Sequence, residues 1–387
     1  MYTTSHATSN ANKADLRTTG INPNFWYPLA IAKTLSKGDA LATTFAGEPI
    51  VLVRPKNDKL YALEDRCAHK QMPLSNGVVV GDSLRCCYHA WTYDQCGACT
   101  IPYLPEGAPQ PRGVRTYPIR HAHGLLFVFP GDPALADTVS LPDFPECRSR
   151  KFMTIRFKRL INCHYTFLHE NLMDMTHQFL HRRWMGTFSP RPLEVRKGRD
   201  HIEVDYTAEL AEGGLVLRTL PSLILNLQRI AAPNTVPQGV QVPNDLRSTH
   251  ARDFVTIATQ YPYQTLLLRR PGLDEPLLKL WLAYVPVDRA QNISQPTGLL
   301  IVRKPSFPGL LCLLRPLFLC FANAIFREDR RALEAEQRAY DLQGSDWNQE
   351  ILPFMLDLRE ILISQGVHPG VKDSRIDGRI DGGQAMG

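Results

Sequence analysis

The sequence predicts an α+β protein, with a small all-β domain followed by a larger domain built on an antiparallel sheet with flanking helices. Three observations carry this: short strand-like runs up to about residue 135, the Pro-rich connector Leu141-Pro142-Asp143-Phe144-Pro145, and recurring strand patterns beyond it that end in helical periodicity. Trp26 to Leu35 and Ile50 to Arg54 read as strands, and Leu60 to Glu64 reads as the second arm of a hairpin turned at Lys56-Asn57-Asp58. A cysteine- and histidine-bearing stretch with a loop-like pattern follows, then strands at Val114 to Ile119 and Leu125 to Phe129. Pro130-Gly131-Asp132-Pro133 closes this part.

The larger domain opens with alternation in Lys151 to Leu160 and a helical period through Arg182. Strand-like runs recur at His201 to Ala208, Leu215 to Leu227, Phe254 to Ala258, Tyr263 to Leu268, Leu278 to Val285 and Gly298 to Arg303. Turn residues between them indicate one antiparallel sheet. Phe326 to Tyr340 and Gln349 to Ser364 read as helices, and the Gly/Asp-rich tail beyond Val371 as mobile. The expected organisation is a polar segment 1–24, an all-β domain 25–135, a linker 136–150, a larger domain 151–370 and a tail 371–387.

A chain of 387 residues, 44% hydrophobic and 21% charged, can bury a substantial core. No repeat, heptad run or Gly-X-Y period is present, which excludes solenoid, coiled-coil and collagen classes. The net charge of +6 comes without a Lys/Arg block, so it suits an acidic partner better than nucleic acid. Nine cysteines, five of them between Cys67 and Cys99, indicate metal binding rather than a disulfide framework. With no readable secretory signal, a cytoplasmic location is expected. The apolar run from Pro308 to Phe326 is long enough to span a bilayer, but Arg315 and Pro316 at its centre favour a buried or substrate-facing segment over a peripheral membrane contact.

The first metal motif reads Cys67-Ala68-His69, sixteen residues, then Cys86-Cys87-Tyr88-His89. One Cys and one His on each of two loops suit a [2Fe–2S] cluster in which imidazoles replace thiolates on one iron. Zinc is the weaker alternative, because structural zinc motifs space their paired ligands by two to four residues. With Ala90-Trp91-Thr92-Tyr93-Asp94 and Gly97-Ala98-Cys99-Thr100-Ile101-Pro102, the motif resembles the Rieske domain of the Rieske non-heme iron oxygenases. The resemblance implies that Cys67 and Cys86 bind one iron, His69 and His89 the other, and that Cys87 is a bystander. Respiratory Rieske proteins add a disulfide whose positions are Met72 and Tyr88 here, which favours the oxygenase branch. Cys96 and Cys99 also form a Cys-x-x-Cys, an alternative redox or zinc pair.

The second motif lies in Glu170 to His181. His177 and His181 stand at i and i+4 of a helical pattern, with Asp174 and Asn171 behind them. Two imidazoles and a carboxylate leave open positions on Fe(II) for chemistry with O2. This stretch resembles the mononuclear-iron motif of the same family, which implies a helix-grip-like catalytic domain, a subunit trimer, and a bridging role for Asp174 between His177 and the partner subunit's His89. Asp329, in Arg327-Glu328-Asp329-Arg330 opening a helix that continues through Glu334, Glu336 and Gln337, is the expected third ligand, with Glu328 its rival.

No nicotinamide or flavin fingerprint is present, so the electrons are expected from a separate ferredoxin and/or flavin reductase. Lys70, beside His69, could attract an acidic donor. Leu215 to Leu227 and Pro308 to Phe326 would wall a pocket for a largely apolar organic substrate, with hydroxylation or oxidative demethylation as the outcome. The alternatives are a membrane-associated pigment oxygenase of the chlorophyll-breakdown type and a pure Rieske electron carrier.

Overall fold

The computed structural model describes residues 15–368 except 106, 110, 186, 189, 208–209, 213–252 and 305–308. Leu215 to Leu227 and the tail beyond Val371 lie outside the described residues.

In the N-terminal part, β1 (Tyr27–Ile31) is followed by the meander β2 (Asp39–Phe45), β3 (Glu48–Arg54) and β4 (Tyr61–Glu64). The stretch whose pattern reads as loop carries four short strands, β5 (Val78–Val80), β6 (Ser83–Arg85), β7 (Thr92–Tyr93) and β8 (Cys99–Thr100). They pair in chain order as a separate antiparallel sheet. Strands of two or three residues are too short to show alternation, which is why the sequence hides them. β9 (Thr116–Tyr117) joins β4, whereas β10 (Ile119–Ala122) and β11 (Leu125–Val128) form a three-stranded sheet with β1.

The larger part is organised by a seven-stranded antiparallel sheet. It contains β12 (Phe152–Lys158), β14 (Pro192–Lys197), β15 (His201–Thr207), β17 (Phe254–Gln260), β18 (Tyr263–Arg269), β19 (Leu278–Pro286) and β20 (Ser294–Arg303), in the order β12-β20-β19-β18-β17-β15-β14. β13 (Thr187–Phe188) and β16 (Leu210–Glu212), on either side of the β14–β15 hairpin in the chain, pair as a separate two-stranded antiparallel sheet. β15 alternates buried with half-exposed residues, as a strand covered on one face must. β19 is buried continuously from Trp281 to Pro286, because β1 packs on its second face. Trp26, Phe127, Phe129, Phe144 and Trp281 fill that junction.

Among the described residues, three helices and one short turn of α-helix pack on these sheets: α1 (Tyr165–Met173), α2 (Arg182–Met185), α3 (Leu310–Gln343) and α4 (Pro353–Gln365). α1 packs across β17 and β19, α4 lies on β15, and α3 runs against α1. Two sequence expectations are corrected here. The helical period through His181 is not one helix: α1 stops at Met173, Asp174 is extended (φ −81°, ψ 90°), and a 3₁₀ helix runs over Met175–His181. Arg327-Glu328-Asp329 does not open a helix but lies in the middle of the 34-residue α3, which starts at Leu310 and absorbs most of the apolar run. Among the described residues, no helix is long and apolar enough to cross a membrane.

Candidate metal centres

The first centre forms where two loops meet at one end of the small sheet. Each loop is closed by backbone hydrogen bonds, Cys67 N to Met72 O at 2.8 Å and Cys86 N to Trp91 O at 2.8 Å. Each also carries a non-glycine residue in the left-handed region, Gln71 (φ 59°) and Ala90 (φ 58°). Such residues cost of order 1 kcal/mol and persist where the surroundings over-determine them. Buried Asp65 anchors the first loop, accepting from Ser75 N and Ser75 Oγ, both at 2.6 Å.

Cys67 and Cys86 are buried, whereas His69 and His89 are exposed with ring centroids 4.5 Å apart. The site therefore has a sulfur side in the core and an imidazole side in solvent. The Trp91 indole stacks on His69 at 4.7 Å and 6°, and Tyr88 lies against His89 at 3.8 Å. Burial foremost pushes the Cys86 thiol upward, with Cys67 adding to it. Desolvation, then His89 and Lys70, hold the His69 imidazole below its ordinary value. A cation on the sulfur side relieves the cost of two adjacent buried thiolates.

The second centre lies between the 3₁₀ helix and α3. One donor atom each from His177, His181 and Asp329 falls within 4.8 Å of the others. The i,i+4 histidines sit on a 3₁₀ turn, so their rings are not parallel but perpendicular, at 89° and 5.4 Å. Each is oriented through Nδ1: His177 Nδ1 contacts Asp174 O at 2.6 Å, and His181 Nδ1 contacts Glu328 Oε2 at 2.9 Å. That leaves both Nε2 atoms facing inward, the arrangement in which an outer hydrogen bond sets the ligating tautomer. Asn171 Nδ2 donates to Asp329 Oδ1 at 3.4 Å.

The donor geometry fits a metal. His181 Nε2 is buried without a hydrogen-bond partner, although Asp329 Oδ1 stands 3.1 Å away. The two atoms are close but misaligned for a bond to each other, as donors converging on a common cation are. Burial opposes charge on His181, but Asp329 and Glu328 outweigh it and raise its pKa. Burial keeps the His177 pKa low despite Asp329 and the Asp174 carbonyl.

Asp174 acts on His177 through its carbonyl, not its carboxylate. The carboxylate caps the 3₁₀ helix, accepting from Thr176 N at 2.9 Å and Thr176 Oγ1 at 2.6 Å. Glu328, the rival third ligand, stands outside the three-atom group and holds the outer nitrogen of His181. Glu334 and Gln337 dock the loop leading into α1, Glu334 Oε1 accepting from Asn162 N at 3.2 Å and Gln337 Oε1 from His164 N at 2.8 Å. Cys87 and Cys96 are exposed and Cys99 is half-buried.

Sequence reasoning missed the support behind α1. Glu170, one residue before Asn171, is bound by both Arg17 and Arg359, and Arg359 also binds Asp346. No local signal points to this, because the two arginines lie 153 and 189 residues from Glu170.

Residues 25–118 match the Rieske [2Fe-2S] domain family, and residues 161–354, half of the chain, match the vanillate O-demethylase oxygenase C-terminal domain family. The chain is 36% identical over 199 residues to 4beta-methylsterol monooxygenase of Methylococcus capsulatus, covering 50% of this chain and 54% of that protein. It is 37% identical over 162 residues to the oxygenase component of dicamba O-demethylase of Stenotrophomonas maltophilia, covering 41% of this chain and 47% of that one. The chain thus spans about half the length of these curated relatives. A crystal structure of dicamba monooxygenase bound to 3,6-dichlorosalicylic acid superposes with a TM-score of 0.67 at 23% identity, covering 89% of this chain and 96% of that one.

Proposed function

Because the chain belongs to the Rieske non-heme iron oxygenases, as a terminal oxygenase subunit, we propose that it oxidises a largely apolar organic substrate with O2, by hydroxylation or oxidative demethylation. Residues 25–135 form the cluster domain of this reading, with Cys67, His69, Cys86 and His89 as ligands, and residues 151–370 form the catalytic domain, with His177, His181 and Asp329. When bound, the [2Fe–2S] cluster supplies one-electron relay and the Fe(II) supplies the place where O2 and substrate react.

The chain's own residues prepare both places. Trp91 and Tyr88 hold the two exposed imidazoles at the tip from which electrons leave, and Lys70 beside them suits an acidic ferredoxin or reductase. The Asp174 carbonyl and Glu328 each hold an Nδ1, which keeps Nε2 of His177 and His181 free to ligate. Asn171 steadies Asp329 from the side. In a homotrimer, the Asp174 carboxylate would lie between one subunit's cluster tip and the next subunit's iron.

The carrying observation is the convergence of one donor atom from each of His177, His181 and Asp329 within 4.8 Å, with the Nε2 of His181 otherwise unpaired. It favours an oxygenase over a Rieske electron carrier, which has no use for a second metal centre. In the test, His177→Ala, His181→Ala and Asp329→Ala each lose mononuclear iron and product formation while the cluster spectrum stays intact. Glu328→Ala keeps most of the iron. An Asp329→Ala protein that retains iron beside a Glu328→Ala protein that loses it would overturn the ligand assignment, and stoichiometric zinc in colourless protein would overturn the whole reading.

A further inference from the structure

A cavity of about 450 Å³ opens where the turn between β10 and β11, the connector 141–148 and β12 meet, and none of its lining residues belongs to either metal centre. Its size falls within the roughly 300–1,000 Å³ of small-molecule sites. Ala122, Leu141 and Pro142 give it an apolar wall, and Arg156 from β12 stands beside them.

Arg156 is held in place by the protein itself. His123 (φ 54°) and Gly124 (φ 75°) are both left-handed, as the twist of a two-residue hairpin turn requires. That turn presents the His123 carbonyl to Arg156, whose Nε donates to it at 2.5 Å. The guanidinium lies so close over the turn that a Cβ on Gly124 would stand 2.2 Å from Nε. The His123 ring is fixed as well, its Nε2 donating to Pro142 O at 3.1 Å and its ring meeting Phe144 edge-on at 4.9 Å.

The charge of Arg156 is uncompensated. Arg148, the other cation of the lining, is engaged by Asp143 through two bonds at 2.9 and 3.0 Å. Cys147 supplies no anion, because burial foremost pushes its thiol upward. Among the described residues, Arg156 makes no other hydrogen bond and no ion pair, and its two Nη atoms are not buried. A guanidinium held through Nε keeps both Nη groups as a fork, which matches the two oxygens of a carboxylate.

We propose that this cavity binds a small organic carboxylate, with its two oxygens on Nη1 and Nη2 of Arg156 and its carbon body against Ala122, Leu141 and Pro142. One uncompensated charge suits a monoanion, and the apolar wall suits a carbon body over an inorganic ion. The site stands apart from the oxygenase reading, since no residue in it is an assigned ligand.

The test is titration calorimetry of the purified holoprotein at low salt with benzoate, benzamide and inorganic phosphate. Benzoate binds, and the other two bind at least about tenfold more weakly, as loss of a charge-assisted fork demands. Arg156→Gln weakens benzoate by about tenfold or more, whereas Arg156→Lys, which keeps the charge without the fork, loses less. His177→Ala leaves benzoate affinity unchanged, which separates this cavity from the second metal centre. The wild type gives a second reading that no folding defect can disturb: benzoate slows the modification of Arg156 by phenylglyoxal, followed by peptide mass spectrometry, and benzamide does not. Absence of benzoate binding, unchanged affinity in Arg156→Gln, loss of binding in His177→Ala, benzamide or phosphate binding as tightly as benzoate, or an Arg156 modified equally fast with and without benzoate would each overturn the site.

Discussion

Replacing Glu170 by leucine removes the anion that holds two buried guanidinium groups. The side chains of Arg17 and Arg359 are each 1% exposed and that of Glu170 is 8% exposed, so water cannot take over the lost partner. Breaking a buried pair by deleting one member costs about 3–5 kcal/mol, because the remaining charge stays desolvated. Both arginines keep some compensation here: Arg17 retains Thr166 Oγ1 at 2.5 Å and the Phe167 ring at 3.4 Å, and Arg359 retains Asp346. That places the expected loss near the lower limit, about 3–4 kcal/mol. At roughly 2–4 °C per kcal/mol for a cooperative unit of this size, the midpoint of thermal unfolding falls by about 6–16 °C. Calorimetry of wild type, Glu170→Leu and Glu170→Gln measures it. Glu170→Gln should fall between the other two, since a carboxamide keeps one acceptor but no charge. High salt should change the differences little, because buried pairs are weakly screened. A Glu170→Leu midpoint within 2 °C of wild type would refute the reasoning, showing that the network contributes nothing beyond what its desolvation costs.

Four further outcomes are expected. Burial foremost, with Glu170 and Asp346 adding to it against Arg17, lifts the Glu336 carboxyl from 4.5 to about 7. Since the folded chain then holds a proton that the unfolded chain releases, stability falls as pH rises from about 4.5 to 7. Unfolding free energies of Glu336→Gln against wild type should diverge across that window by up to about 3 kcal/mol, and parallel curves would refute the shift. Asp174→Ala should lower stability by about 0.5–2 kcal/mol through the lost cap, whereas Asp174→Asn keeps most of the cap. In rapid mixing of pre-reduced Asp174→Asn with substrate and O2, cluster reoxidation should slow at least about tenfold with iron content retained, as loss of a charged outer partner does. Wild-type reoxidation rates would remove Asp174 from the electron path. Fe(II) at about 100 times its dissociation constant should stabilise the folded chain by about 2.7 kcal/mol, and Asp329→Ala should abolish that gain in the same melt.

The two metal motifs were legible because short-range spacing carries them. Cys67-Ala68-His69 and Cys86-Cys87-Tyr88-His89 each lie within a single turn-rich loop, so their ligand types can be read without knowing what the loops pack against. The longer strands were legible because each runs for seven or more residues, β15 alternating between buried and half-exposed positions and β19 and β20 carrying long apolar buried runs. The helix boundaries around the second centre were not. Helical propensity runs smoothly through Met173, Asp174 and Met175, and the break at Asp174 comes from its side chain capping the next turn, a local choice that periodicity does not encode.

What the sequence by itself determined is the chemistry available: four Cys/His donors in two loops, two histidines four residues apart, and a Glu-Asp pair far along the chain. What only the tertiary structure decided is which members of that inventory meet. Glu328 and Asp329 are adjacent in sequence and similar in chemistry, yet α3 turns Asp329 towards both imidazole Nε2 atoms and leaves Glu328 on the outer nitrogen of His181. Arg17, Glu170, Asp346 and Arg359 carry no motif at all, and they become one network only when α4 and the segment around Arg17 close over α1. The physical reason is the same in both cases. Ligand type is a property of one side chain, but convergence and desolvation depend on contacts between residues far apart in the chain, and these exist only after packing has excluded water from between them.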